Sequence, residues 1–80
     1  MKIKTDIALS DSGFLFDPTT GDSYNLNPTG VEIIQMIKDG KSEKEIIKEF
    51  TEKYDIDEIT FEQNLYDFLR MLAHFNLTEI

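Results

Sequence analysis

Eighty residues leave room for one hydrophobic core and one domain, taken here as residues 1–80. Sixteen Asp and Glu against eight Lys and Arg give a net charge of −8, which repels a phosphate backbone or an anionic membrane surface. Cysteine is absent, which excludes disulfides and thiolate metal sites, while six Phe and three Tyr supply enough apolar area for a compact core.

The segment from Met1 to Asp6 runs into a short alternating stretch, unlike a signal peptide, and no apolar run approaches a membrane span. A free-standing cytoplasmic protein is the expectation.

The pattern changes near Asn27-Pro28, from period two with turn residues before it to helical spacing after it. Ile7-Ala8-Leu9 reads as a first strand, ended by a hairpin turn at Asp11-Ser12-Gly13. Phe14-Leu15-Phe16 is a second strand, with both Phe side chains on one face and Leu15 on the other. Asp17 to Asp22 forms the next turn, where Gly21 suits a left-handed conformation leading into a bulge. Ser23-Tyr24-Asn25-Leu26 alternates polar and apolar as a third, half-buried strand. Nothing after it reads as a strand able to pair with it, so it lies at a sheet edge with unpaired N–H and C=O groups.

Asn27 and Pro28 are a helix N-cap and first helical residue. Val31, Ile33, Ile34 and Ile37 make the first helix's apolar stripe, Gly30 implies close backbone approach to a neighbour, and Gly40 ends the helix. Ser42-Glu43-Lys44-Glu45 is a capping box opening a second helix, with Ile46, Ile47, Phe50 and Tyr54 on its apolar stripe. Glu49 and Lys53 are placed to pair one turn apart.

Thr60 to Gln63 is a second capping box, starting the longest helix, which runs to about Phe75. At about 100° per residue, Phe61, Leu65, Phe68, Leu69, Leu72 and Phe75 share one face. Tyr66 and Ala73 widen that face on one flank and Met71 widens it on the other, beyond what one core needs. Either flank is compatible with a binding cleft, and burial by the chain ends or a dimer partner is also compatible. Asn76 caps the helix and Leu77 to Ile80 trail off. Together these elements give an α+β fold: a three-stranded antiparallel sheet (about 5–27) followed by three helices (about 28–76), βββααα, in the outline of a winged helix-turn-helix.

Catalytic chemistry finds no foothold in this pattern. His74 is the sole histidine and lies on a polar helix face. No Ser sits in a nucleophile-elbow context. Asp55 to Glu58 resembles the start of a calcium loop, but Thr60 and Tyr66 stand where its Gly and Glu are needed. The turn glycines have no phosphate-cradling run around them. The expectation is a binding protein with no catalytic residue, metal or cofactor.

The stretch from Phe16 to Gly30, with its Asp17-Pro18-Thr19-Thr20-Gly21 turn and its Leu26-Asn27 junction, resembles the signature segment of the PqqD family. Gly40-Lys41-Ser42, Ile46-Ile47, Tyr54-Asp55-Ile56 and Phe68-Leu69-Arg70-Met71-Leu72 are also similar to its pattern, so the resemblance covers about Ile7 to Leu77. One departure is Asn76, where the family has Gly; Asn also tolerates a left-handed cap.

The resemblance implies a recognition element for ribosomally made, post-translationally modified peptides. Such a domain acts as a peptide chaperone: it binds a precursor's leader as an extra strand and delivers it to a modifying enzyme, such as a radical SAM enzyme or a leader protease. It implies a peptide site at Asp22, Ser23, Tyr24, Asn25 and Leu26 on the third strand, with Leu65, Tyr66, Leu69, Arg70 and Ala73 on the last helix. The alternatives are a winged-helix DNA-binding module, for which the last helix offers Arg70 against Glu62 and Asp67, and a dimerisation module.

Overall fold

Among the described residues, five short strands and three helices follow one another as β1 (Lys2–Ile3), β2 (Ala8–Leu9), β3 (Phe14–Asp17), β4 (Asp22–Asn25), α1 (Pro28–Lys38), α2 (Glu43–Tyr54), α3 (Glu58–His74) and β5 (Thr78–Glu79). The computed structural model describes residues 2–4 and 6–79; the expected strand onset near residue 5 and the final Ile80 lie outside them. The antiparallel sheet β2-β3-β4 followed by three helices is the expected βββααα arrangement.

Sharp turns set the sheet's register. Gly13 has φ +93°, and a Cβ there would stand 2.8 Å from the Leu26 carbonyl oxygen, so only glycine fits this close approach. The Asp17 carboxylate accepts from the Thr19 backbone N–H, and the Gly21 N–H donates to the Asp17 carbonyl. The resulting register sets Leu15 opposite Tyr24 and Phe16 opposite Ser23. Leu15 is fully buried under the sheet, whereas Phe14 and Phe16 stand on its outer, solvent face.

Asn27 caps α1 by accepting from the Gly30 N–H, and Pro28 occupies the first turn. Ser42 and Glu45 form the reciprocal capping box of α2. The core consists of Ile33, Ile34 and Ile37 from α1, Ile46, Ile47 and Phe50 from α2, and Phe61, Leu65, Leu69 and Leu72 from α3, closed by Leu15 and the terminal Ile3, Ile7 and Leu77. Phe50 and Phe61 stack at 4.7 Å across the α2–α3 contact.

Five expectations are corrected. The C-terminal residues do not trail off: Thr78 and Glu79 pair with Ile3 and Lys2, and Leu77 is buried. Helix α3 begins at Glu58, because Asp57 caps it by accepting from the Thr60 N–H. Tyr54 is exposed, its hydroxyl donating to Glu32. Glu49 and Lys53 do not pair with each other: Lys41 takes Glu49 at 2.7 Å and Lys53 takes Glu32 at 2.6 Å, tying loop and helix ends together instead of one helix turn. Val31 is only half-buried.

Candidate functional site

The backbone of β4 is bonded on one side only. It pairs with β3, and among the described residues no strand lies along its other side. The Leu26 N–H donates to the Gly13 carbonyl, toward β3. Antiparallel ladders alternate, so Tyr24 also faces β3, and the N–H and C=O groups of Ser23 and Asn25 face outward. Those two residues hold donors and acceptors that no described strand engages. Side chains alternate in the perpendicular direction. Tyr24 and Leu26 point toward the helices and are half-buried, while Ser23 and Asn25 stand on the outer face with Phe16 and Phe14.

Helix α3 runs beside this edge and presents a distinct flank to it. The Phe75 ring lies 4.9 Å from the Tyr24 ring. At the other end of β4, Gly30 brings the start of α1 so close that a Cβ there would meet Phe68 at 3.3 Å and Leu26 at 3.4 Å. Phe68, Met71 and Phe75 are spaced by three and four residues, so they form one row along the helix. All three are partly exposed. Beyond Asn27 the gap deepens into a hollow of about 350 Å³ lined by Gly30, Ile56, Asn64 and Phe68, among others.

The opposite flank of α3 belongs to α2. Tyr66, Leu69, Arg70 and Ala73 surround a shallow hollow with Glu43. Arg70 is paired with Asp67 on its own helix. The nearby carboxylate of Glu62, then burial and Glu43, push the Tyr66 phenol above its ordinary value of 10.0. On the sheet side, burial and the charges of Asp22 and Asp17 push Tyr24 up likewise, so both phenols stay neutral donors at physiological pH. Burial alone pushes the Asp17 carboxyl up, but hydrogen bonds from Thr19 outweigh it and hold the group below 3.8. That charged carboxylate fixes the turn that starts β4.

The structure therefore sorts the residues named from the sequence. Asp22, Ser23, Tyr24, Asn25 and Leu26 lie together along the open edge. Leu65 is fully buried and Leu69 nearly so; both belong to the core. Tyr66, Arg70 and Ala73 lie on the α2 side, across the helix from β4. The rings shown at this edge are Phe75, against Tyr24, and Phe68, at Gly30, with Met71 between them in the same helical row; that set omits all three. Their signal was present as one margin of the apolar arc, with Gly30 marking where a neighbour comes close. Among the described residues no group of His, Cys, Asp or Glu is arranged to hold a metal ion.

The family model of coenzyme PQQ synthesis protein D (PqqD) matches residues 13–77. Among curated proteins none matches the sequence. The structure of TbiB1 in complex with the TbiA(beta) leader peptide is 34% identical, with a TM-score of 0.88 over 99% of this chain and 95% of that one. The lasso peptide synthetase B1 complexed with the leader peptide has the same fold at 24% identity, with a TM-score of 0.83 over the same shares of both chains. With the family's signature spanning β3 through Leu77 and the fold shared end to end, this chain belongs to the PqqD family.

Proposed function

We propose that this protein binds the leader segment of a ribosomally made precursor peptide as an added strand on β4, and presents it to a modifying enzyme. The observation that carries the reading is the coincidence of an unpaired strand edge with a partly exposed apolar row. The outward groups of Ser23 and Asn25 belong to a strand whose Tyr24 meets Phe75 and whose far end meets Phe68 at Gly30, with Met71 in the same helical row. Strand addition needs both parts: main-chain hydrogen bonds supply affinity, and hollows for alternate side chains supply the choice of peptide. The 34% identical TbiB1, solved with a leader peptide, supports the same use of the fold.

The site holds its ligand and performs no bond-making step, so its role is that of a chaperone. A radical SAM enzyme or a leader protease, in the cytoplasm, is the type of partner this reading assigns. The acidic surface and the engagement of Arg70 with Asp67 weigh against a DNA-reading helix.

The test is selection from a displayed library of short random linear peptides, followed by titration of the tightest binder against isotopically labelled protein. Amide signals of Asp22 to Leu26 and of Phe68 to Phe75 are expected to move most. A library that yields no binder, or shifts confined to the α2 flank around Tyr66, would overturn the reading.

A further inference from the structure

The α2 flank of α3 carries a second apolar row, which the peptide site on β4 does not use. Ile59, Tyr66 and Ala73 recur every seven residues. They lie nearly above one another along the helix, about 21 Å from first to last. All three are exposed, and Ile59 at 69% is the most exposed large apolar side chain among the described residues. Two hollows between α2 and α3 border the row. One of about 580 Å³ is lined by Ile47, Thr51, Glu62 and Tyr66, among others. The other, of about 420 Å³, is lined by Tyr66, Leu69, Arg70 and Ala73 with Glu43. An apolar row at heptad spacing is what a second helix covers in a helix–helix seam.

The residues of the row say which helix fits. When two identical helices meet antiparallel about a two-fold axis at Tyr66, residues equally far before and after it come level with one another. Ile59 of one copy then lies level with Ala73 of the second, a bulky side chain against the smallest in the row. Glu62 comes level with Arg70 of the second copy, and the symmetry makes that pair of opposite charges twice. Within one chain Glu62 and Arg70 stand two turns apart, about 12 Å, too far to pair. Arg70 does hold Asp67 on its own helix, but both side chains are largely exposed. Such a pair contributes little and leaves the guanidinium available.

We infer that this face binds a second copy of the chain: two α3 helices meet antiparallel about Tyr66, with Glu62 and Arg70 paired across the seam. Each copy carries a charge of −8, and one helix row with its rim is smaller than a standard interface, so the pairing is weak and depends on those cross pairs. The β4 edge adjoins the other flank of α3, so it stays open in both copies. The inference stands independently of peptide binding.

The experiment exchanges the charges. Sedimentation velocity is run on a concentration series of wild type reaching about 1 mM, where weak association becomes visible. Wild type is expected to pass from monomer to dimer within it. Glu62→Arg and Arg70→Glu, each checked for folding by circular dichroism, set like charges across the seam twice. Each should dimerise at least about tenfold more weakly. An equimolar mixture of the two variants should regain the wild-type dimer, because every cross pair in the mixed dimer again joins opposite charges. No pairing inside one chain can produce that recovery. Should either variant unfold, Tyr66→Glu, which sets two carboxylates on the axis, is read in its place and should stay monomeric. A wild type that stays monomeric throughout would overturn the inference and leave this face to a different partner. A dimer insensitive to the single reversals would overturn it too, as would variants that fail to recover on mixing.

Discussion

The two flanks of α3 expose aromatic rings to the same degree, Phe75 and Tyr66 each at 41%, yet they face different surroundings. On the β4 flank, Phe68 and Phe75 meet the ends of a backbone edge that no described strand pairs, with Met71 in the same helical row. On the α2 flank, Tyr66 and Ala73 lie beside a helix whose backbone is already satisfied, with Glu43 and Glu62 nearby. An apolar surface gains specificity for an extended peptide only where main-chain partners stand beside it. Exposure alone does not choose between the flanks; the adjacent backbone does.

Between the two flanks lies the core row of α3, and breaking it should have the largest effect. Leu65→Ala and Leu72→Ala each remove a fully buried side chain and are expected to lose about 2–5 kcal/mol of stability. Urea denaturation measures this, and a loss below about 1 kcal/mol would mean the row is less tightly packed than described. The flanks themselves are separated by Met71→Ala and Tyr66→Ala. Loss of Met71 should weaken a selected peptide by about tenfold, as truncation of a groove contact does. Loss of Tyr66 should leave affinity within about twofold. Fluorescence anisotropy on both variants, each checked for folding, decides the matter, and the reverse order would move the groove to the α2 side.

The smallest expected effect is electrostatic and lies away from both flanks. The Lys53 ammonium, with help from the Tyr54 hydroxyl, holds Glu32 below its ordinary 4.5. A depressed carboxylate contributes stability that is present above its unfolded value and is lost as pH falls through the folded one. Glu32→Gln should therefore lower the thermal midpoint modestly at pH 7. At a pH well below 4.5 it should make little difference, because protonation has already removed that contribution from wild type. Peptide affinity at pH 7 should be unchanged, since the cluster joins α1 to α2 and touches neither β4 nor its facing row. A midpoint difference of the same size at both pH values would show that Glu32 acts through packing instead.

What was legible in the sequence was local. Asn27-Pro28, the Ser42–Glu45 box and the glycine turns declare themselves because the cap or turn needs only residues within four positions. The sheet edge was legible because no segment next to Leu26 reads as a strand that could pair with it, and among the described residues the short β1 and β5 pair with each other and not with β4. Non-local pairing was not. The two-residue strand at Thr78–Glu79 has no pattern of its own and exists because Lys2–Ile3 lies beside it. Glu49 and Lys53 satisfy a helix-pair rule, yet each finds a better-placed partner on another element. Periodicity likewise gave the width of the apolar arc on α3 but could not say which neighbour lay against which margin. Hence Tyr66 and Ala73 were named for the peptide site, whereas the rings that meet Tyr24 and the Gly30 turn are Phe75 and Phe68. Tyr54 shows the same limit, since its stripe position suited burial and its hydroxyl instead reached Glu32 in the open.

Replacing single strand residues by proline tests the open edge most directly. Asn25 carries an outward N–H, and Tyr24 carries one turned toward β3. Asn25→Pro deletes a donor that no described residue uses, so the protein should remain folded by circular dichroism and thermal melting. Tyr24→Pro should damage the sheet itself. Isothermal titration of folded Asn25→Pro with a peptide selected on wild type is the measurement. Binding should fall below detection or by more than about tenfold, as expected when a main-chain bond of an added strand is removed. Full affinity in a folded Asn25→Pro protein would contradict strand addition at β4, even if the protein still bound peptides by another route.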